Sequence, residues 1–239
     1  MRRRDFLRYF TLLGLTDAVT HRGIAMSRIS QQPRDTVTLF LAGDVMTGRG
    51  IDQVLPNPGD PQIFEAYCRS AGDYVQLAER ANGPLPRPVD FTYIWGDALA
   101  ALDAAGPEVR IVNLETAVTR KGAPWLQKGI HYRMHPANIP CLSAAAIDCC
   151  VLANNHVLDW GYDGLGETLA SLATAGLAYA GAGADRAAAR APAVLDLPGP
   201  GRVLVFAGGL GSSGIPLDWA ASDGRAGVNL LPDLSSQTV

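Results

Sequence analysis

Short runs of apolar and β-branched residues alternate with stretches of helical periodicity along most of the chain. The runs TVTLFLA (36–42) and IDCCVLA (147–153) are strand-like and lead into turn or polar residues. The strands that the pattern predicts are residues 36–42, 109–114, 147–153 and 177–180. The helices that it predicts are residues 63–81, which Gly72 could divide, 94–105, 139–146 and 164–175. This alternation predicts an α/β fold with a layered sheet.

The rest of the pattern predicts the domain organisation. Residues 193–197 and 203–207 predict a hairpin, and the chain from residue 208 onward reads as loop. Neither a repeat nor a shift in composition divides the chain after residue 36. We therefore expect one domain over residues 36–239, preceded by a leader and linker over residues 1–35.

The first residues resemble an export signal. Arg3 and Arg4 are followed by Asp-Phe-Leu-Arg, which matches the twin-arginine pattern, and an apolar stretch follows at residues 9–15. That stretch is too short to span a bilayer, so no transmembrane helix is expected. A disordered basic leader, or translation that begins at Met26, would account for the same residues. If this segment directs export, the protein is periplasmic or extracytoplasmic. If it does not, the protein is cytoplasmic.

Composition narrows the choice of partners. The net charge is −3 and no stripe or block of basic residues occurs, which argues against a nucleic-acid partner. Apolar residues make up 48% of the chain and aromatic residues 7%, which suits a core of aliphatic side chains between a sheet and helices. The four cysteines show no zinc-ligand spacing and are expected to be buried thiols.

Polar clusters directly follow three of the predicted strands. Asp44 follows the first strand, and Asn113 and Glu115 lie at the end of the second. Asn155 and His156 follow the third. Because ligands bind outside the carboxyl ends of strands in open α/β sheets, these side chains are expected to converge on one pocket. Their carboxylate, amide and imidazole groups suit Mn²⁺, Fe or Zn²⁺, although each residue alone could be a turn or helix-cap residue.

Further side chains are candidates for the same pocket. Asp159 lies three residues after His156 and could fix the tautomer of its ring, or could cap a helix. Arg49 closely follows the first cluster and could clamp an anionic oxygen, or could be a plain surface arginine. Tyr132 and Arg133 stand between two histidines of one loop and could line a substrate mouth. Those two histidines could equally be ordinary loop residues. We predict that Arg49, Tyr132 and Arg133 bind substrate.

Three segments carry a family resemblance. They are GDVMTGR at residues 43–49, NLE at residues 113–115 and ANNHVLDWGYDGL at residues 153–165. Together they resemble the CapA family, which is named for poly-γ-glutamate capsule synthesis and is related to the calcineurin-like metallophosphoesterases. The resemblance extends from residue 36 to the last residue and implies a layered, metallophosphoesterase-like sandwich.

The resemblance implies a role for each matching residue. Asp44, Glu115 and Asn155 would bind a divalent metal (Mn, Fe or Zn), in a centre that could be binuclear. His156 would donate a proton to the leaving group, with Asp159 beside it. A centre of that kind activates a water molecule and stabilises negative charge at the reacting atom.

Two features depart from the superfamily pattern. Met46 stands where the superfamily usually has a metal-binding histidine, and a thioether is a poor ligand for a hard metal. No histidine follows His156, although the family's later histidine motifs are expected in that direction. We therefore expect the metal site, and the sandwich at its C-terminal end, to be incomplete in this chain.

The resemblance implies a function in capsule or poly-γ-glutamate synthesis. The leading interpretation is a metal-dependent hydrolase or transferase that acts on an anionic polymer or its precursor. A non-catalytic accessory protein, which binds a carboxylate-rich chain during export or anchoring, is the first alternative. A generic metallophosphodiesterase is the second.

Overall fold

The helices and strands of the protein were assigned in a computed structural model that describes residues 36–236 and 238. The predicted leader and its export signal lie outside the described residues. In chain order the elements are β1 (Leu39–Val45), α1 (Arg49–Val54), α2 (Ala71–Asn82), α3 (Ala98–Ala105), β2 (Val109–Leu114), β3 (Ala117–Val118), β4 (Arg133–Met134), α4 (Pro140–Ala144), β5 (Cys149–Val151), α5 (Gly161–Thr174), β6 (Ala178–Ala180), β7 (Ala182–Gly183), α6 (Arg186–Arg190), β8 (Ala193–Asp196), β9 (Arg202–Val205), β10 (Gly209–Leu210), β11 (Gly227–Val228) and β12 (Leu230–Leu231).

A parallel sheet of four strands, in the order β1-β2-β5-β6, is the centre of the fold. Each strand pairs in parallel with its neighbour, and the connections between them carry helices. All four predicted sheet strands are therefore present, and the predicted α/β class is confirmed. Because the strands run in parallel, the residues that follow β1, β2 and β5 emerge at the same edge.

Apolar side chains cover both faces of this sheet. One face contributes Val112, Cys150 and their neighbours to the larger core, together with residues of α4 and α5. The other face contributes Ile111 and Cys149 to a smaller cluster, which the predicted β8–β9 hairpin covers. All four cysteines are free and buried, as predicted, and burial raises the pKa of Cys149 to about 11.

Strand β1 differs from its prediction in length and in burial. It continues through Gly43 and Asp44 to Val45, with a register shift between Ala42 and Val45. It lies at the sheet edge, and Leu41 on its outer face is 67% exposed. The β8–β9 hairpin packs against the opposite half of that face, through β6, so β1 is only partly buried, and on one side alone.

Several helix bounds also differ from the prediction. Helix α2 begins at Ala71, where Ser70 accepts a hydrogen bond from the Gly72 amide, and the preceding residues form no helix. Helices α1 and α6 were not predicted, because each is only one or two turns long and has little periodicity. The chain from residue 208 onward contains three short strands, so the loop prediction there was wrong. No helix in the described ranges is long and apolar enough to cross a membrane.

Substitution of a fully buried core residue should test the packing of the sheet. Leu152 follows β5 and is completely buried, so Leu152→Ala should lower the free energy of unfolding by about 2–5 kcal/mol. Leu126→Ala provides the matched control, since Leu126 is 96% exposed and its loss should change stability by less than about 0.5 kcal/mol. Urea unfolding followed by circular dichroism measures both values, and equal effects of the two substitutions would contradict this account of the core.

Candidate functional site

A chain of amide hydrogen bonds joins the carboxyl ends of β1, β2 and β5. The Asn113 Nδ2 donates to Asp44 Oδ1 over 2.8 Å, and the Asn154 Nδ2 donates to Asn113 Oδ1 over 2.9 Å. Asn154 also donates to the Leu114 carbonyl over 3.0 Å. The structure therefore brings the polar residues after β1, β2 and β5 together at one edge of the sheet.

His156 lies at the centre of this edge with both ring nitrogens facing carboxylates. Its backbone amide donates to Asn154 Oδ1 over 3.0 Å, which fixes the turn that carries the ring. The Nδ1 atom lies 2.6 Å from Asp159 Oδ2, and the Nε2 atom lies 3.6 Å from Glu115 Oε1. A carboxylate bonded at Nδ1 selects the tautomer with the proton on that atom and leaves Nε2 as the basic nitrogen.

Asp159 is fully buried and accepts hydrogen bonds from three directions. Besides the His156 ring, the Tyr132 amide donates to it over 2.7 Å and the Lys128 Nζ donates over 2.5 Å. Lys128 also donates to the Asn155 carbonyl. A buried carboxylate requires such partners, because an unpaired charge in the interior costs several kcal/mol. Asp159 is therefore an anchor for His156, as its spacing suggested.

Lys128 is a site residue that the sequence reasoning missed. It lies in a loop without regular structure, so no periodicity or strand end points to it. Only Lys121 and Lys128 are lysines in the whole chain, and this rarity was the one available signal.

Tyr132 and Arg49 form a stack beside the histidine. The Tyr132 ring stacks on the His156 ring with centroids 3.8 Å apart and an angle of 19° between the planes. The Arg49 guanidinium carbon lies 4.7 Å from the centroid of the same tyrosine ring. Arg49 also pairs with the buried Glu65 at 2.6 Å, so it is not a plain surface arginine.

Arg133 has a different environment from its predicted one. Its guanidinium carbon lies 3.7 Å from the Trp160 ring centroid, and its Nη2 lies 3.8 Å from Asp60. Burial lowers its pKa, which Asp60 partly opposes. The neighbouring histidines are ordinary loop residues: His131 is buried against the Trp125 carbonyl, and His135 accepts from a local backbone amide. The guanidinium of Arg133 is engaged by Trp160 and Asp60, and its predicted role in substrate binding remains a prediction.

Glu115 has an altered acidity. Burial, followed by the negative charge of Asp44, raises the pKa of Glu115 to about 7, and Lys128 opposes the shift. Two carboxyl groups that lie this close disfavour simultaneous ionisation. Glu115 therefore exchanges its proton near neutral pH, in front of His156 Nε2.

The predicted metal ligands are only partly assembled. Asp44 and Glu115 interact, but within residues 36–236 no group of three or more His, Cys, Asp and Glu is placed to hold a metal ion. The Asn155 amide lies beside Gly214, where an added Cβ would be 3.3 Å from its nitrogen. The Met46 sulfur accepts from the Gly48 amide over 3.1 Å. The divalent metal and its ligands therefore remain a prediction.

Fold and site together define the chain as an α/β protein with a cluster of polar side chains at the carboxyl edge of a parallel sheet. Residues 38–238 match the family described as bacterial capsule synthesis protein PGA_cap. The chain belongs to this family, and the resemblance that the motifs predicted is confirmed. The observed fold agrees with the metallophosphoesterase-like α/β class.

Individual relatives point to the same family. A probable polyglutamine synthesis accessory protein of Mycobacterium tuberculosis is 49% identical over 205 residues, which cover 86% of this chain and 54% of that protein. The capsule biosynthesis protein CapA of Bacillus anthracis is 23% identical over 159 residues, 66% of this chain and 31% of its own length. The PGA biosynthesis protein CapA of Bacillus subtilis is 26% identical over 150 residues. The chain spans about half the length of the mycobacterial relative.

The raised pKa of Glu115 predicts a pH-dependent contribution to stability. The folded protein binds this proton more tightly than the unfolded chain, whose reference pKa is 4.5. The contribution is therefore complete below pH 4.5 and is lost as the pH rises through about 7. Relative to Glu115→Gln, the wild type should lose about 1–2 kcal/mol across this interval, after allowance for solvent screening. Urea unfolding of both proteins from pH 4 to 8 measures it, and a constant difference would contradict the shift.

Removal of the lysine should expose the cost of burying Asp159. Lys128→Gln leaves the carboxylate with the His156 ring and the Tyr132 amide, so the free energy of unfolding should fall by about 2 kcal/mol. Lys121→Gln is the control, because Lys121 is exposed and should contribute less than about 0.5 kcal/mol. Denaturant titration at neutral pH compares the two, and a fully stable Lys128→Gln protein would show that the ion pair is dispensable.

Proposed function

We propose that the protein is a hydrolase or transferase of capsule polymer synthesis, with His156 as its acid–base group. The observation that carries the proposal is the position of the His156 ring, between Asp159 at Nδ1 and Glu115 at Nε2. A histidine with one nitrogen anchored by a carboxylate and the other facing a second carboxyl group is suited to proton transfer.

The roles of the residues follow from their contacts. The bond to be broken is an amide bond of the polymer. His156 Nε2 takes a proton from an attacking water or acceptor group as the new bond to the amide carbonyl carbon forms. It returns that proton to the leaving amine when the old bond breaks. Asp159 keeps the ring in one tautomer, and Lys128 holds Asp159 in place. The stacked Tyr132 ring limits rotation of the imidazole.

The chemistry of the partner is inferred from the relatives. Two Bacillus relatives are named as CapA proteins of capsule or PGA biosynthesis, and the mycobacterial relative as a polyglutamine synthesis accessory protein. We infer that the partner of this chain is an anionic polymer of glutamate units or its precursor. A divalent metal (Mn, Fe or Zn) at Asp44, Glu115 and Asn155 belongs to the same proposal, but none of these steps requires it.

A non-catalytic accessory role is the second candidate. The name of the mycobacterial relative, an accessory protein, favours it. In that role the same pocket would bind a carboxylate-rich chain without breaking a bond.

Substitutions of the acid–base pair test the enzymatic proposal. His156→Ala should lower the rate of poly-γ-glutamate cleavage by about 10²–10⁴-fold, since the proton-transfer group is removed. Asp159→Asn should also lower it, because the ring loses its anchor. Asp163→Asn, an exposed acid four residues further on, is the control and should keep the wild-type rate. The assay follows new amino groups and polymer length by size-exclusion chromatography, with and without Mn²⁺.

The outcomes separate the candidate functions. If the wild-type protein on a column retains poly-γ-glutamate but never shortens or transfers it, the accessory role is supported and the enzymatic proposal is refuted. Cleavage of aryl phosphate esters with Mn²⁺, without action on the polymer, would support the generic phosphodiesterase. Equal rates for the wild type and His156→Ala would exclude His156 as the acid–base group.

A further inference from the structure

An apolar groove lies beside the site and has no part in the proposed chemistry. It has a volume of about 400 Å³ and opens between α1, α2 and the short helical turn Tyr93–Trp95. Its walls are mostly aliphatic, and they include Ile51, Val54, Val75, Ala78, Leu85 and Ile94. A groove of this volume and lining is typical of a small-molecule site with an apolar portion to bury.

Arg49 forms a shared wall between the groove and the histidine site. Its guanidinium carbon lies 4.9 Å from the centroid of Tyr74, which lines the groove. The same carbon lies 4.7 Å from the centroid of Tyr132, which stacks on His156. The Arg49 guanidinium and the Tyr132 ring therefore both lie between the apolar groove and the His156 ring.

Arg49 retains hydrogen-bonding capacity beyond its ion pair. Its Nη2 pairs with Glu65, whose other oxygen accepts from the Tyr74 hydroxyl. Its Nε is buried and has no hydrogen-bond partner in the part of the chain that the structure describes. The side chain remains 16% exposed, and its backbone has a φ of 51°, in the left-handed region that is unfavourable for arginine. A strained, partly unsatisfied arginine in the wall of an apolar groove is a candidate for ligand binding.

We propose that the groove binds the aliphatic part of an amphiphilic ligand whose carboxylate head lies at Arg49. This inference goes beyond the proposed function, because the residues that line the groove take no part in the proton transfer at His156. The lining supplies the apolar contact, and the guanidinium supplies the complementary charge for the head.

Straight-chain fatty acids are the probes that test the proposal. Hexanoate, octanoate and decanoate, below their micelle concentrations, should bind with one site per chain in isothermal titration calorimetry. The dissociation constant should fall roughly three- to fourfold for each added methylene that the groove buries. Decanol has the same tail without the charge and should bind at least fivefold more weakly than decanoate. Equal binding of the two, or no saturable binding, would overturn the proposal.

Variants of α2 locate the tail. Ala78→Phe places a ring in the groove and should weaken decanoate binding at least tenfold. Gln76→Phe puts the same ring on the exposed side of that helix and should change binding less than twofold. Equal affinities of the two variants would place the tail elsewhere and overturn the proposal.

The test also distinguishes this inference from the proposed function. Binding is measured without turnover, so decanoate binding that depends on Ala78 would stand even if poly-γ-glutamate is never cleaved. His156→Ala should keep the Ala78-dependent binding of decanoate while losing turnover. If His156→Ala loses cleavage and the wild type does not bind decanoate, the enzymatic proposal is supported and the proposal of an amphiphile site is refuted.

Discussion

The buried carboxylate of Asp159 is the constraint on which the rest of the site depends. It has no exposure to solvent, so its charge must be met by donors from the protein. Those donors are the Lys128 ammonium, the Tyr132 amide and the His156 ring, which come from separate parts of the chain. One desolvated charge therefore fixes the loop before β4, the turn after β5 and the orientation of the imidazole at the same time.

Backbone strain is concentrated at the same edge of the sheet. Asp44 has a φ of 41° and Arg49 a φ of 51°, both in the left-handed region. Such conformations cost of order 1–3 kcal/mol each and persist where surrounding contacts enforce them. Asp44 lies within the register shift of β1, and its side chain accepts a hydrogen bond from Asn113. At Arg49 the enforcing contacts are the ion pair with buried Glu65 and the contacts with two tyrosine rings.

The electrostatics of the site balance two carboxyl groups against one ammonium. Asp44 and burial disfavour ionisation of Glu115, whereas Lys128 favours it. The result is a carboxyl group that exchanges its proton near neutral pH opposite the free nitrogen of His156. Because the two carboxyl groups disfavour simultaneous ionisation, Glu115 is the one that holds the exchangeable proton.

The sequence by itself determined the four strands of the parallel sheet, because short apolar runs between turn residues have a local pattern that survives folding. It also determined that the residues after β1, β2 and β5 meet, since parallel strands share an edge. Only the tertiary structure decided that Lys128 pairs with Asp159, that Glu65 receives Arg49, and that Arg133 stacks on Trp160. These contacts join residues 16–31 positions apart, and no local periodicity records a partner at that distance along the chain. The two-residue strands β10, β11 and β12 were missed for the same physical reason. Their pairing is set by distant neighbours rather than by their own residues.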